Sequence, residues 1–96
     1  MSCYFIAQIA IHDRKEYKLY LDGFDEIFKR YDGKVLVVDD APVVLEGRLR
    51  HRRIVIIRFR DRREAKRWYT SSAYQALAQH RKRAAKTDII LARGRR

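Results

Sequence analysis

A lone cysteine, Cys3, has no partner for an internal disulfide or a CxxC pair, which fits a reducing, cytoplasmic setting. Proline occurs once, at Pro42, and glycine four times, so neither a low-complexity segment nor global disorder is expected. The apolar runs fall far short of the ~20 residues that span a bilayer, and a membrane is excluded as a partner. The opening MSCYFIAQIAIHD has no basic leader and no small-residue cleavage site, so no signal peptide is read there. His12, His51 and His80 make no metal-ligand spacing, and there is no glycine-rich phosphate loop or dinucleotide fingerprint. No metal and no cofactor are therefore expected. Ser71 has no GxSxG frame and is read as a helix cap, not a nucleophile.

What is present is a single domain of 96 residues, 47% hydrophobic, with a formal net charge of +11. The charge is uneven. Residues 1–47 carry a net of −3, residues 48–67 a net of +8, and residues 81–96 a net of +6. Such asymmetry marks either solvated arginine-rich faces or a polyanion footprint. The residues that would carry the footprint are Arg48, Arg50, Arg52, Arg62, Arg63 and Arg67. Charge alone reads no base, so nucleic acid is expected to bind only weakly and non-specifically.

The periodicity predicts the elements in turn. Tyr4–Ile11 is apolar on both alternating faces, a strand covered on both sides. Asp13 with Glu16 has capping-box spacing, and Tyr17, Tyr20, Leu21, Phe24, Ile27, Phe28 and Tyr31 follow as one helical stripe. Gly33 suits a left-handed helix terminus, and the isolated Gly23 suits close packing within the helix. Lys34–Val38 is a second strand, and Val43–Arg48 resumes extended structure after a bend at Pro42. Arg50-His51-Arg52 is a polar connection to a central strand, Arg53–Arg60. Asp61 with Glu64 opens a short helix to Tyr69, Ser71 or Ser72 starts another to about Lys86, and Asp88–Ala92 is the last strand. Residues 90–96 are in part a basic C-terminal tail.

The order is β-α-β-β-α-β with its second helical region broken in two. That is an α+β, ferredoxin-like sandwich: a four-stranded antiparallel sheet with helices on one face. The other face is apolar as well, and a monomer would expose more of it than soluble monomers usually tolerate. A homodimer burying sheet against sheet is the economical answer.

Several residues together carry a resemblance. They are Tyr31-x-Gly33, Val44-Leu45-Glu46-Gly47, Arg53 at a strand start, Ala65-x-x-Trp68-Tyr69-x-Ser71-x-x-Tyr74, Arg81, Ile90-Leu91 and Gly94. Across nearly the whole chain this resembles the domain-of-unknown-function family 1330, of the dimeric α/β-barrel superfamily. The resemblance implies a ferredoxin-like protomer, a dimer whose sheets form a barrel, and a pocket between sheet and helices. Superfamily members include monooxygenases, isomerases and decarboxylating or heme-handling enzymes, and the family itself has no settled activity. The arginine density, and Ser72 where the family often has proline, depart from its usual pattern.

Two charged residues stand out. Glu46 lies between apolar strand neighbours, so a partner is expected, with Arg53 or Arg81 in reach; it would be a structural pair or a general base. Arg81 continues the apolar face of Tyr74, Leu77 and Ala78, so its guanidinium must meet a carboxylate, carbonyls or an anionic ligand. Trp68, Tyr69 and Tyr74 cluster at the break between helices, as core or as pocket wall. The pocket candidates are Tyr4, Gln8, Glu46, Arg53, Trp68, Tyr74 and Arg81, with a small carboxylate as ligand. The functions that fit are a cofactor-independent enzyme on a small organic acid, a polyanion-binding module, or a catalytically silent dimer.

Overall fold

In the computed structural model, which describes residues 1–95, the chain folds as β1 (Cys3–Ile11), α1 (Arg14–Phe28), β2 (Gly33–Asp39), β3 (Arg53–Phe59), α2 (Arg62–Tyr69), α3 (Ser72–Ala84) and β4 (Ala85–Arg93). The strands form one antiparallel sheet in the order β2-β3-β1-β4. This is the expected ferredoxin-like α+β topology. The two non-adjacent pairs, β1 to β2 and β3 to β4, are each bridged by helices.

The helices lie on one face because β1 alternates. Cys3, Phe5, Ala7 and Ile9 are buried beneath them, while Tyr4, Ile6, Gln8 and Ala10 turn outward and stay half-buried. In register with the buried set stand Arg53, Val55, Ile57 and Phe59 of β3 and Thr87, Ile89 and Leu91 of β4. The outward set adds Ile54, Ile56 and Ile90, and Ile90 is 60% exposed.

Both expected N-caps form. Asp13 Oδ1 accepts from Glu16 N at 3.1 Å, and Asp61 Oδ1 accepts from Glu64 N at 2.8 Å. The reciprocal half of each capping box is not made, because each glutamate has a stronger partner. Glu16 engages His80 and Arg83 of α3, which leaves His80 half-buried against α1 and not on an open face. Glu64, 2% exposed, accepts from Asp32 N at 2.8 Å and bidentately from Arg67 at 2.9 Å. Ser71 Oγ caps α3 by accepting from Tyr74 N at 3.1 Å.

The core is aromatic and centred on Trp68, which is 0% exposed and packs on Tyr74, Phe5, Phe59 and Phe28 at ring separations of 4.2, 5.2, 5.4 and 5.7 Å. Gly23 allows the close approach of α1 to α3, since a Cβ there would stand 2.6 Å from Leu77 Cδ1.

Four expectations need correction. Helix α1 ends at Phe28, and Gly33 does not take a left-handed conformation; it opens β2, where Phe59 and Phe28 leave no room for a Cβ. Val43–Arg48 is not a strand. Asp39 Oδ1 accepts from Ala41 N at 2.9 Å, turning the chain just before Pro42, and both edges of β3 are already taken by β1 and β2. The connection therefore runs free of the sheet, with Val43 and Leu45 exposed and Gly47 at φ 79°. His51, expected in a polar connection, is buried, with Nε2 3.4 Å from Asp88. Finally, β4 starts at Ala85, three residues before the expected Asp88, and continues to Arg93, and Gly94 N donates to Ser2 O at 2.7 Å. Arg96 lies outside the described residues.

Candidate functional site

The helices do not cover the sheet evenly. Helices α1 and α3 pack on each other, and the edge strand β2 keeps Val35 and Val38 partly open beside α1. A cavity of about 300 Å³ lies between α1 and the sheet. Its walls are mostly apolar: Phe5 and Ala7 from β1, Val55 and Ile57 from β3, Val35 and Val38 from β2, Phe24 and Leu21 from α1. Tyr17, Tyr20, Asp25, Arg53 and Arg81 supply the polar groups. An apolar pocket with few convergent polar groups is the usual form of a small-molecule site.

Arg81 is the most unusual of these. It sits on the inner face of α3 and is 3% exposed. Its Nη1 donates to Thr87 Oγ1 at 2.9 Å, while Nε and Nη2 are buried without a hydrogen-bond partner. No carboxylate reaches it among the described residues. Its Cζ lies 5.7 Å from the Tyr20 ring. Burial works against its charge and the dipoles of the neighbouring Tyr74 and Tyr20 hydroxyls favour it without neutralising it; the net direction is upward, and the group stays a cation.

The phenols beside it are held neutral. Tyr20 and Tyr74 hydroxyls lie 2.7 Å apart and engage each other. Burial pushes both up, Tyr20 well above the ordinary tyrosine value, and Arg81 only partly opposes this at Tyr74. They can donate hydrogen bonds near pH 7 but cannot balance the arginine's charge.

Arg53 stands at the other side of the same end. Its Nη1 pairs with Asp40 at 2.8 Å, its Nε is buried and unpartnered, and its Cζ lies 5.7 Å from the Tyr17 ring. Burial works against this charge too, and the Asp40 carboxylate and the Tyr17 hydroxyl together outweigh it, so the pKa is raised. Asp25 lies exposed at the mouth.

Of the seven residues singled out from the sequence, Arg53 and Arg81 line the cavity. Tyr74 stands behind them, reaching Tyr20 through its hydroxyl. Trp68 is core, behind the wall. Tyr4 and Gln8 point to the opposite face of the sheet, because β1 presents its odd-numbered residues to the helices. Glu46 is exposed on the β2–β3 connection and pairs with neither arginine: Asp40 takes Arg53, and Thr87 takes Arg81. Tyr17 and Tyr20 were not singled out as site residues. The signal was their hydroxyls, present in a stripe otherwise consistent with plain core. The six surface arginines divide between the β2–β3 connection (Arg48, Arg50, Arg52) and α2 (Arg62, Arg63, Arg67). These segments flank opposite ends of β3, roughly 20 Å apart at ~3.3 Å per residue.

No curated protein matches the chain. Solved structures do, at identities that speak to fold alone. A protein of unknown function from Rhodopseudomonas palustris superposes with a TM-score of 0.79 at 15% identity, over 99% of this chain and 83% of that one. SnoaB, a cofactor-independent oxygenase from Streptomyces nogalater, superposes with a TM-score of 0.67 at 15% identity, over 99% and 94%. An antibiotic biosynthesis monooxygenase superposes at 0.55 and 12% identity, over 100% of both chains. The family model described as "Domain of unknown function (DUF1330)" matches residues 2–95, so the chain belongs to that family.

Proposed function

We propose that this protein is a small homodimer that binds an organic acid in the cavity between α1 and the sheet, with the carboxylate on Arg81. One observation carries the reading: a 3%-exposed guanidinium in the cavity wall has two nitrogens without a partner and, among the described residues, no carboxylate to balance it. A buried unbalanced charge is costly, and an anionic ligand is the natural complement. A carboxylate can take two parallel N–H bonds from one guanidinium edge. The apolar walls suit a hydrocarbon or aromatic body.

Benzoate is a suitable probe. Calorimetric titration should detect binding to the wild type and none to Arg81→Met, while the variant melts no lower than the wild type. Strong destabilisation of Arg81→Met, with no small carboxylate bound by either protein, would leave a catalytically silent dimer. The likeness in fold to a cofactor-independent oxygenase makes oxygen uptake without added cofactor the first reaction to assay on any acid that binds.

Ile6, Ile54, Ile56 and Ile90 share the outer face of the sheet and support the dimer. Sedimentation equilibrium at micromolar concentration should give twice 11.5 kDa; an 11.5 kDa species alone rules it out. Two separated arginine groups, with Arg50 and Arg67 already near Asp88 and Glu64, support only weak, salt-labile and sequence-blind polyanion binding.

A further inference from the structure

The acid-binding reading uses one arginine, but the cavity has two. Arg53 on β3 and Thr87 on β4 both stand opposite Ile9 of β1, so they belong to one cross-strand row. Two strand spacings put their Cα atoms on the order of 10 Å apart. Thr87 holds the Arg81 guanidinium at 2.9 Å. The rings beside the two cations, Tyr17 and Tyr20, are 5.6 Å apart on one turn of α1. Both arginines therefore meet the cavity at the same end, and the apolar walls make up the rest.

Each keeps buried N–H groups unused: Nε on Arg53, Nε and Nη2 on Arg81. Asp40 does not complete Arg53. It engages only Nη1, and its side chain is 73% exposed, so water screens much of its charge.

We infer that the cavity is built for a doubly acidic ligand: an apolar body, aromatic or branched, with two carboxylates diverging from one edge, one on Arg81 and the second on Arg53. This rests on the acid-binding reading above and narrows its substrate class from monoacids to dicarboxylic acids. Tyr17 and Tyr20 would separate the two anionic positions and close that end of the cavity. A long α,ω-diacid would not fit, because its second charge would reach the apolar walls of Val35, Val38 and Phe24.

Benzoate, isophthalate and the long-chain diacid sebacate test it, titrated into the full-length wild type, Arg53→Met, Arg53→Lys and Arg81→Met, each checked for a cooperative melt. Isophthalate is expected to bind at least tenfold more tightly than benzoate, with sebacate no better than benzoate. Arg53→Met should bring isophthalate down to the benzoate level and leave benzoate unchanged, and Arg53→Lys should restore part of the difference. Arg81→Met should lose both ligands. Equal affinity for benzoate and isophthalate, or an isophthalate affinity unmoved by Arg53→Met, overturns the dicarboxylate inference and leaves the monoacid site standing. Failure of all three acids to bind the wild type overturns both.

Discussion

The hydroxyls of Tyr20 and Tyr74 lie 2.7 Å apart, joining α1 to α3 through a contact buried on both sides. It leaves neither phenol needing another partner, and it leaves the adjacent Arg81 with two idle nitrogens. Tyr74→Phe strands the Tyr20 hydroxyl in an apolar interior and should cost about 1–3 kcal/mol in chemical denaturation. The double variant Tyr20→Phe, Tyr74→Phe should recover part of that loss. Additive losses would show that the two hydroxyls do not depend on each other.

Trp68 packs against every layer of the protein, from Phe5 and Phe59 of the sheet to Phe24 and Phe28 of α1. Trp68→Ala should destabilise the fold by ~3–5 kcal/mol, the range for truncating a buried large aromatic. A urea midpoint equal to wild type would contradict its placement at the centre.

Two glycines should respond differently to the same added methyl. A Cβ at Gly33 would meet Phe59 at 2.7 Å and Phe28 at 2.8 Å, one ring buried in the core and the other packed against it, so Gly33→Ala should cost roughly 1–3 kcal/mol. At Gly23 the tightest atom is the tip of Leu77, which can turn away, and alanine favours the helix by about 1 kcal/mol. Gly23→Ala should stay near wild type. Thermal melts of the pair decide it.

The Glu64 carboxylate is held down to about 2, first by the hydrogen bonds from Arg67 and then by the Asp32 backbone N–H, against an ordinary value of 4.5. A carboxyl lowered in the folded state stabilises the fold fully above its unfolded value. That stability should drain away as pH falls from about 4.5 towards 2. Glu64→Gln should be less stable at neutral pH and should flatten this part of the profile. A wild-type and variant difference that does not shrink on acidification would refute the assignment.

The sequence by itself determined the order of the main helices and strands, the fold and the family, though not every boundary and not the course of residues 43–48. β1 is apolar at alternate positions on both faces, Asp13, Asp61 and Ser71 are local caps, and the Trp68 to Tyr74 spacing is local as well. Each of these is settled within a turn or a strand, by periods of 2 and 3.6 residues. The candidate site depended on longer-range facts. Glu46 looked buried because apolar neighbours surround it in sequence, but β1 and β2 occupy both edges of β3 and leave that segment no sheet to join. Tyr4 and Gln8 looked like pocket residues, but strand parity sends them to the other face. Arg81 was recognisable as a charge on an apolar stripe. Which carboxylate it would meet was not, because pairing is set by which strands become neighbours. Only the β3-β1-β4 order brings Arg53, Ile9 and Thr87 into one row and turns two isolated arginines into one end of a cavity.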